Sequence, residues 1–184
     1  MALYRLDPSQ GRFTVQAFAE GMLSSFGHNP TFAVREFSGE IQFDAAAPNG
    51  AAVQLTVTAA SLEVTDEVSS KDRHEIETRM RDEVLETSKY PQIVYRSTLV
   101  VAALITENQF RLEVQGKLNL HGGEKNLPIE MQIRVGASDM RLRGECRLKQ
   151  SSFQIKRVSA VGGAIRVKDE LKLAFELVAQ KQAE

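Results

Sequence analysis

Apolar and polar side chains alternate along most of this chain with a period of two, the pattern of strands that bury one face and wet the other. The alternation is clean in RFTVQAF (12–18), VQLTVT (53–58), FRLEVQGKLNL (110–120), LPIEMQIRV (127–135), MRLRGECRL (140–148) and LKLAFEL (171–177). IVYRSTL (93–99) carries it before it blurs into the apolar VVAALI. In TFAVREFSGEIQF (31–43) it holds to Val34, slips at Arg35-Glu36 and resumes at Phe37. One extra residue there predicts a β-bulge that re-aims the strand. Counted this way, the chain has eight strands.

The breaks carry turn chemistry. PNG (48–50) and the Gly122-Gly123 pair supply the positive φ that tight hairpins need, and TENQ and GASD are short polar loops. Strands joined so closely are expected to be antiparallel neighbours in a meander. One segment, DRHEIETRMRDEVLETS (72–88), has a different period. Ile76, Met80 and Val84 recur every four residues with Leu85 beside them, one apolar stripe on a helix. Asp72 and Glu75 read as N-cap and capping box, Glu75–Arg79 and Glu77–Arg81 as supporting i,i+4 pairs, and Pro91 as the stop. The stripe must lie on the sheet or across an opening.

The polar positions of the longest strands are mostly charged (Arg111, Glu113, Glu130, Arg134, Arg141, Arg143, Glu145), so one face of the sheet is wet. A single helix is too little to cover the other face. Long meandering strands leave long edges unless the first pairs with the last. These points predict a mainly β fold, an eight-stranded antiparallel up-and-down β-barrel with one amphipathic α-helix, over one domain, residues 1–184. Its inward phase contains Phe32, Val34, Leu55, Val57, Tyr95, Phe110, Leu112, Val114, Ile129, Met131, Ile133, Leu142, Cys146, Leu173, Phe175 and Leu177. The small inward residues Gly39, Ser97, Gly116, Gly144 and Cys146 are expected to leave room for an extended hydrocarbon chain.

Charge and composition narrow the function classes. A formal net charge of -1 argues against nonspecific nucleic-acid binding. Cys146 is the single cysteine, which excludes an internal disulfide. The three histidines are scattered without ligand spacing, so no metal and no cofactor is expected. The N-terminus lacks the apolar region of a secretory signal and no run approaches a transmembrane length, so a cytoplasmic location is expected.

The stretch DRHEIETRMRDEVLETSKYPQIVYRST resembles the helix-then-strand signature of the YceI-like family, with Lys89, Tyr90, Pro91, Ile93, Tyr95 and Ser97 at the family's K-Y-P-x-I-x-aromatic-x-S positions. GKLNLHGGEKNLPIEM is similar to its G-x-L-x-[IL]-H-G-x-x-[KR], through Gly116, Leu118, Leu120, His121, Gly122 and Lys125. FSGEIQFDAAAP and IRVKDELKLAFELVA match two further motifs in the right order, so the resemblance spans nearly the whole chain. It implies a lipocalin-like barrel capped by helix that binds polyisoprenoids or other long amphiphiles in its lumen, without enzymatic activity. Many family members are exported, and the cytoplasmic location expected here departs from that pattern.

The inward residues named above are therefore the candidate lumen wall for an isoprenoid or fatty-acyl amphiphile. His121 and Lys125 flank the Gly-Gly turn and read either as a headgroup clamp or as a plain hairpin. His28, between the first two strands, is a candidate polar contact; with Ser24 and Ser25 it is also the only sequence-close nucleophile and base. His74 is expected to face water. The stretch 151–171, with Gly162-Gly163 and Lys156/Arg157, reads either as a flap near the mouth or as a connector. Two other classes stay open: a hydrolase acting on a lipid-like substrate, and an interaction module whose core is filled. Whether two barrels pair as a homodimer is also open.

Overall fold

The structure, a computed structural model, describes residues 1–21 and 29–183. Its strands are β1 (Ala2–Gln16), β2 (Ala19–Glu20), β3 (Thr31–Val34), β4 (Phe37–Phe43), β5 (Ala52–Thr58), β6 (Leu62–Val64), β7 (Gln92–Thr106), β8 (Gln109–Leu120), β9 (Gly123–Asn126), β10 (Ile129–Val135), β11 (Asp139–Lys149), β12 (Ser159–Ala160), β13 (Ile165–Val167) and β14 (Glu170–Lys181). The ring runs β1-β4-β5-β7-β8-β10-β11-β14, each strand antiparallel to the next, and closes where β14 pairs β1 with Phe13 opposite Phe175. This is the closed eight-strand antiparallel barrel that the alternation predicts. Closure removes the free edges that an open sheet of this length would expose.

The slip at Arg35-Glu36 is a full break between β3 and β4. It bends the chain so that β4 pairs the first half of β1 and β3 the second. The backbone N–H groups freed at the break donate to Ser61, Arg35 N to the carbonyl at 3.2 Å and Glu36 N to Oγ at 3.0 Å. β1 begins ten residues before RFTVQAF and runs on through DPSQG, where its register against β14 slips between Leu6 and Gly11 in a bulge. Gly11, at φ 113°, absorbs the extra residues of that bulge. A side chain there would run into the carbonyl of Glu176.

The helix α1 (Ser70–Arg79) starts earlier than predicted. Its N-cap is Ser69, whose Oγ accepts from Asp72 N at 3.1 Å, so Asp72 sits in the first turn instead of capping it. Past Arg79 the helix widens into a π turn over Met80–Val84, with Leu85 N donating to Met80 O. The wider turn brings Val84 and Leu85 onto the side that already carries Ile76 and Met80. Glu77 pairs Arg81 as expected, at 3.3 Å, but Arg79 pairs Glu83 rather than Glu75. Glu77 and Arg73 also hold β6: Glu77 accepts from Val64 N at 2.9 Å and Arg73 donates to Val64 O. The apolar stripe is thereby fixed over one end of the barrel.

The hairpin after β8 is a type I′ turn. Its central residues are His121, φ 53°, and Gly122, φ 74°, so His-Gly makes the turn rather than Gly-Gly. PNG (48–50) forms a 3₁₀ turn in which Gly50 does not take positive φ; Asn49 Oδ1 accepts from Ala102 N at 2.8 Å. The stretch 151–171 is only partly irregular. A 3₁₀ turn, Gln150–Phe153, is followed by β12 and β13, which join β2 in a small second sheet. No helix among the described residues is long and apolar enough to cross a membrane.

Candidate functional site

The two ends of the barrel differ. At one end Phe43, Ile41, Leu112, Ile133, Met140, Val100 and Val114 pack with almost no accessible surface. The Phe43 and Phe110 rings meet edge to face at 5.1 Å. At the other end inward-pointing aliphatics, including Val15, Val53, Leu55, Ile93 and Leu173, keep part of their surface uncovered. They border a cavity of about 390 Å³, within the ~300–1,000 Å³ of small-molecule pockets.

Of the predicted wall, Phe32, Val34, Leu55, Val57, Tyr95, Ile129, Met131, Leu142, Cys146, Leu173, Phe175 and Leu177 border this cavity. Phe110, Leu112, Val114 and Ile133 do not, because they lie in the packed end. They share the inward phase of the others and differ only in height along the barrel axis. The small inward residues also act differently from expectation. A side chain on Gly116 would strike the Tyr95 ring, one on Gly144 the Phe175 ring and one on Gly39 the Leu6 side chain. Each glycine accommodates a large neighbour, so the hollow is not the space these glycines leave.

The roof is built from Ile76, Met80, Val84 and Leu85 of the helix and its π turn, with Ile155, Val158 and Val167 from the segment after β11. The helix stripe was readable as a cover. The contribution of the 151–171 stretch has no periodic signal. Arg157 binds Glu20 at 2.5 Å, which ties that segment to β2, while Lys156 is exposed.

Polar groups on the wall are few. The Tyr95 hydroxyl donates to Leu127 O at 3.0 Å, across the break between β9 and β10, and burial pushes its pKa up to about 12. Burial, reinforced by the neighbouring Glu145 carboxylate, pushes the Cys146 thiol up to about 11, so it stays an uncharged thiol. Gln150, 3% exposed, donates through Nε2 to Lys168 O at 2.9 Å. Arg79, its side chain 36% exposed, is the one charged residue on the wall among those described.

The candidate polar end lies elsewhere. His121 is bound on both ring nitrogens, Nε2 to Glu86 Oε2 at 2.6 Å and Nδ1 to Phe153 O at 3.2 Å, and its ring packs on Tyr90 at 4.7 Å. Lys125 is exposed on β9, and neither residue borders the cavity. The hairpin reading of HGGEK is therefore the one the geometry matches. His74 faces water. His28, Ser24 and Ser25 lie outside the described residues. No group of three or more metal-ligating side chains occurs among the described residues.

An up-and-down eight-stranded barrel with a helix-roofed apolar cavity belongs to the lipocalin-like class. Within that class the chain belongs to the YceI-like domain family, whose sequence profile matches residues 4–179. The fold is similar to that of Burkholderia cenocepacia BcnA, with a TM-score of 0.71 at 18% identity, over 94% of this chain and 98% of that one. It is also similar to a polyisoprenoid binding domain from Saccharophagus degradans implicated in plant cell wall breakdown: TM-score 0.69, 16% identity, 97% and 98% of the two chains. The Campylobacter jejuni YCEI protein follows at 0.60 and 19% identity, over 85% and 88%. No curated protein sequence matches the chain.

Proposed function

We propose that this protein binds a long apolar amphiphile, of polyisoprenoid or fatty-acyl type, in the upper half of its barrel, and sequesters or carries it without chemically altering it. The observation that carries this reading is the cavity of about 390 Å³ whose wall is almost entirely hydrocarbon. Water in such a space would find too few polar partners to replace its bulk hydrogen bonds. An alkyl or prenyl chain placed there gains roughly 25 cal/mol for each Å² of apolar surface removed from water, before the losses of association. The family, and the similarity to the polyisoprenoid binding domain of Saccharophagus degradans, support the same ligand class. The wall residues with reactive atoms favour binding over catalysis: the thiol is held protonated and the phenol is bonded to a carbonyl.

Native mass spectrometry of freshly purified protein, followed by organic extraction, tests the proposal. A discrete added mass that extracts as a lipid supports it. A bare sequence mass, with no uptake of added palmitate or farnesol, overturns it in favour of a chain that acts through its surface.

A further inference from the structure

The wall described above contains one feature that an uncharged ligand would not require. Arg79 sits where the helix passes into its π turn, flanked along the chain by Met80, with Ile76 one turn before it, all three bordering the cavity. Among the described residues its ionic partner is Glu83, at a loose 3.6 Å, and the Glu83 side chain is 61% exposed. A pair of that length and exposure contributes little and is readily exchanged. The other polar groups of the wall are already engaged or uncharged. Tyr95 donates to Leu127 O, Gln150 donates to Lys168 O, and Cys146 is a thiol. A guanidinium offers a fork of N–H donors matched to the oxygens of a carboxylate or phosphate.

Resting on the lumen-binding reading, we propose that the bound amphiphile carries an anionic head, a carboxylate or a phosphate, and that Arg79 of the helical roof pairs with it while the tail fills the barrel. Placing the cation on the roof rather than the barrel floor leaves the head near water, where its charge costs least. The tail alone enters the hydrocarbon space. Glu83 then holds the guanidinium in the empty protein and competes with the incoming head.

Calorimetric titration with matched pairs tests this: palmitate against hexadecanol, and farnesyl phosphate against farnesol. The full chain is expected to bind at least one anion about tenfold or more tighter than its neutral partner, and whichever anion does so identifies the head. In Arg79→Gln that ratio should collapse toward one, in Arg79→Lys it should partly return, and in Glu83→Gln it should rise. Equal affinity for anion and alcohol in the unaltered protein overturns the assignment of the head but leaves lumen binding standing. So does an Arg79→Gln variant that weakens both partners equally. Failure of all four compounds to bind overturns the lumen reading as well.

Discussion

Nε2 of His121 lies 2.6 Å from Oε2 of Glu86, and both residues hold left-handed backbones, at φ 53° and 45°. Neither conformation is cheap for a residue with a side chain. The hydrogen bond joins the two strained turns, one ending the π turn of the roof and the other closing the β8–β9 hairpin. Through Nδ1 the same ring reaches Phe153 O, so three separate segments meet on one imidazole that is only 11% exposed. The HGGEK stretch thus serves the cavity indirectly, by locking its roof.

Breaking this clasp should loosen the roof before it unfolds the barrel. His121→Ala is expected to cost about 1–3 kcal/mol, the range for leaving buried hydrogen-bonding groups unpaired, in urea denaturation followed by circular dichroism. Ligand release should also accelerate, because the roof opens more often. A variant whose release rate is unchanged while stability falls would reduce the clasp to a purely structural tie.

The contrast between the two barrel ends can be tested with one substitution in each. Leu112 is fully buried in the packed end, so Leu112→Ala should cost about 2–5 kcal/mol and leave ligand affinity nearly unchanged. Leu55 borders the cavity with part of its surface uncovered, so Leu55→Trp should occupy the space and abolish lipid binding with little loss of stability. If the tryptophan variant still bound lipid with full affinity, the cavity would not be the binding site.

The barrel was legible because period-two alternation runs through at least part of every wall strand, and the roof because Ile76, Met80, Val84 and Leu85 form a stripe. Height along the barrel was not legible. Leu112 and Leu55 point inward in the same phase, and only the three-dimensional pairing tells that one is in the floor and the other faces the cavity. Gly116 and Gly144 looked like vacant space because their neighbours across the sheet, which bring in Tyr95 and Phe175, are distant in sequence. Arg79 escaped notice because it fits equally well into an ordinary i,i+4 pair with Glu75. The shift to Glu83 comes with the helix ending in a π turn, which no sequence period announces.

Alkaline pH should weaken the fold through two wall residues. Cys146 is raised from an ordinary 9.0 to about 11, and Tyr95 from 10.0 to about 12, burial being the first cause of both. A raised folded value means that the folded state holds its proton where the unfolded chain releases it. Their contribution is therefore intact below about 9 and declines as pH rises to about 12. Urea midpoints measured from pH 8 to 11 should fall progressively, and Cys146→Ala should flatten the first part of that decline. A midpoint independent of pH over this range would contradict the burial assigned to these two groups.

Cys146 also reports directly on the cavity it borders. Because its thiol is raised to about 11, labelling by iodoacetamide at pH 7.5 should run far slower than for a free cysteine and quicken as the pH approaches that value. An apolar ligand lying against β11 and β14 would cover the sulfur, so added palmitate or farnesyl phosphate should slow labelling further, in proportion to occupancy. Protection that tracks the calorimetric binding curve would place the tail beside Cys146. Binding without any protection would place it against the opposite wall, beneath β5 and the helix, and would move the site without removing it.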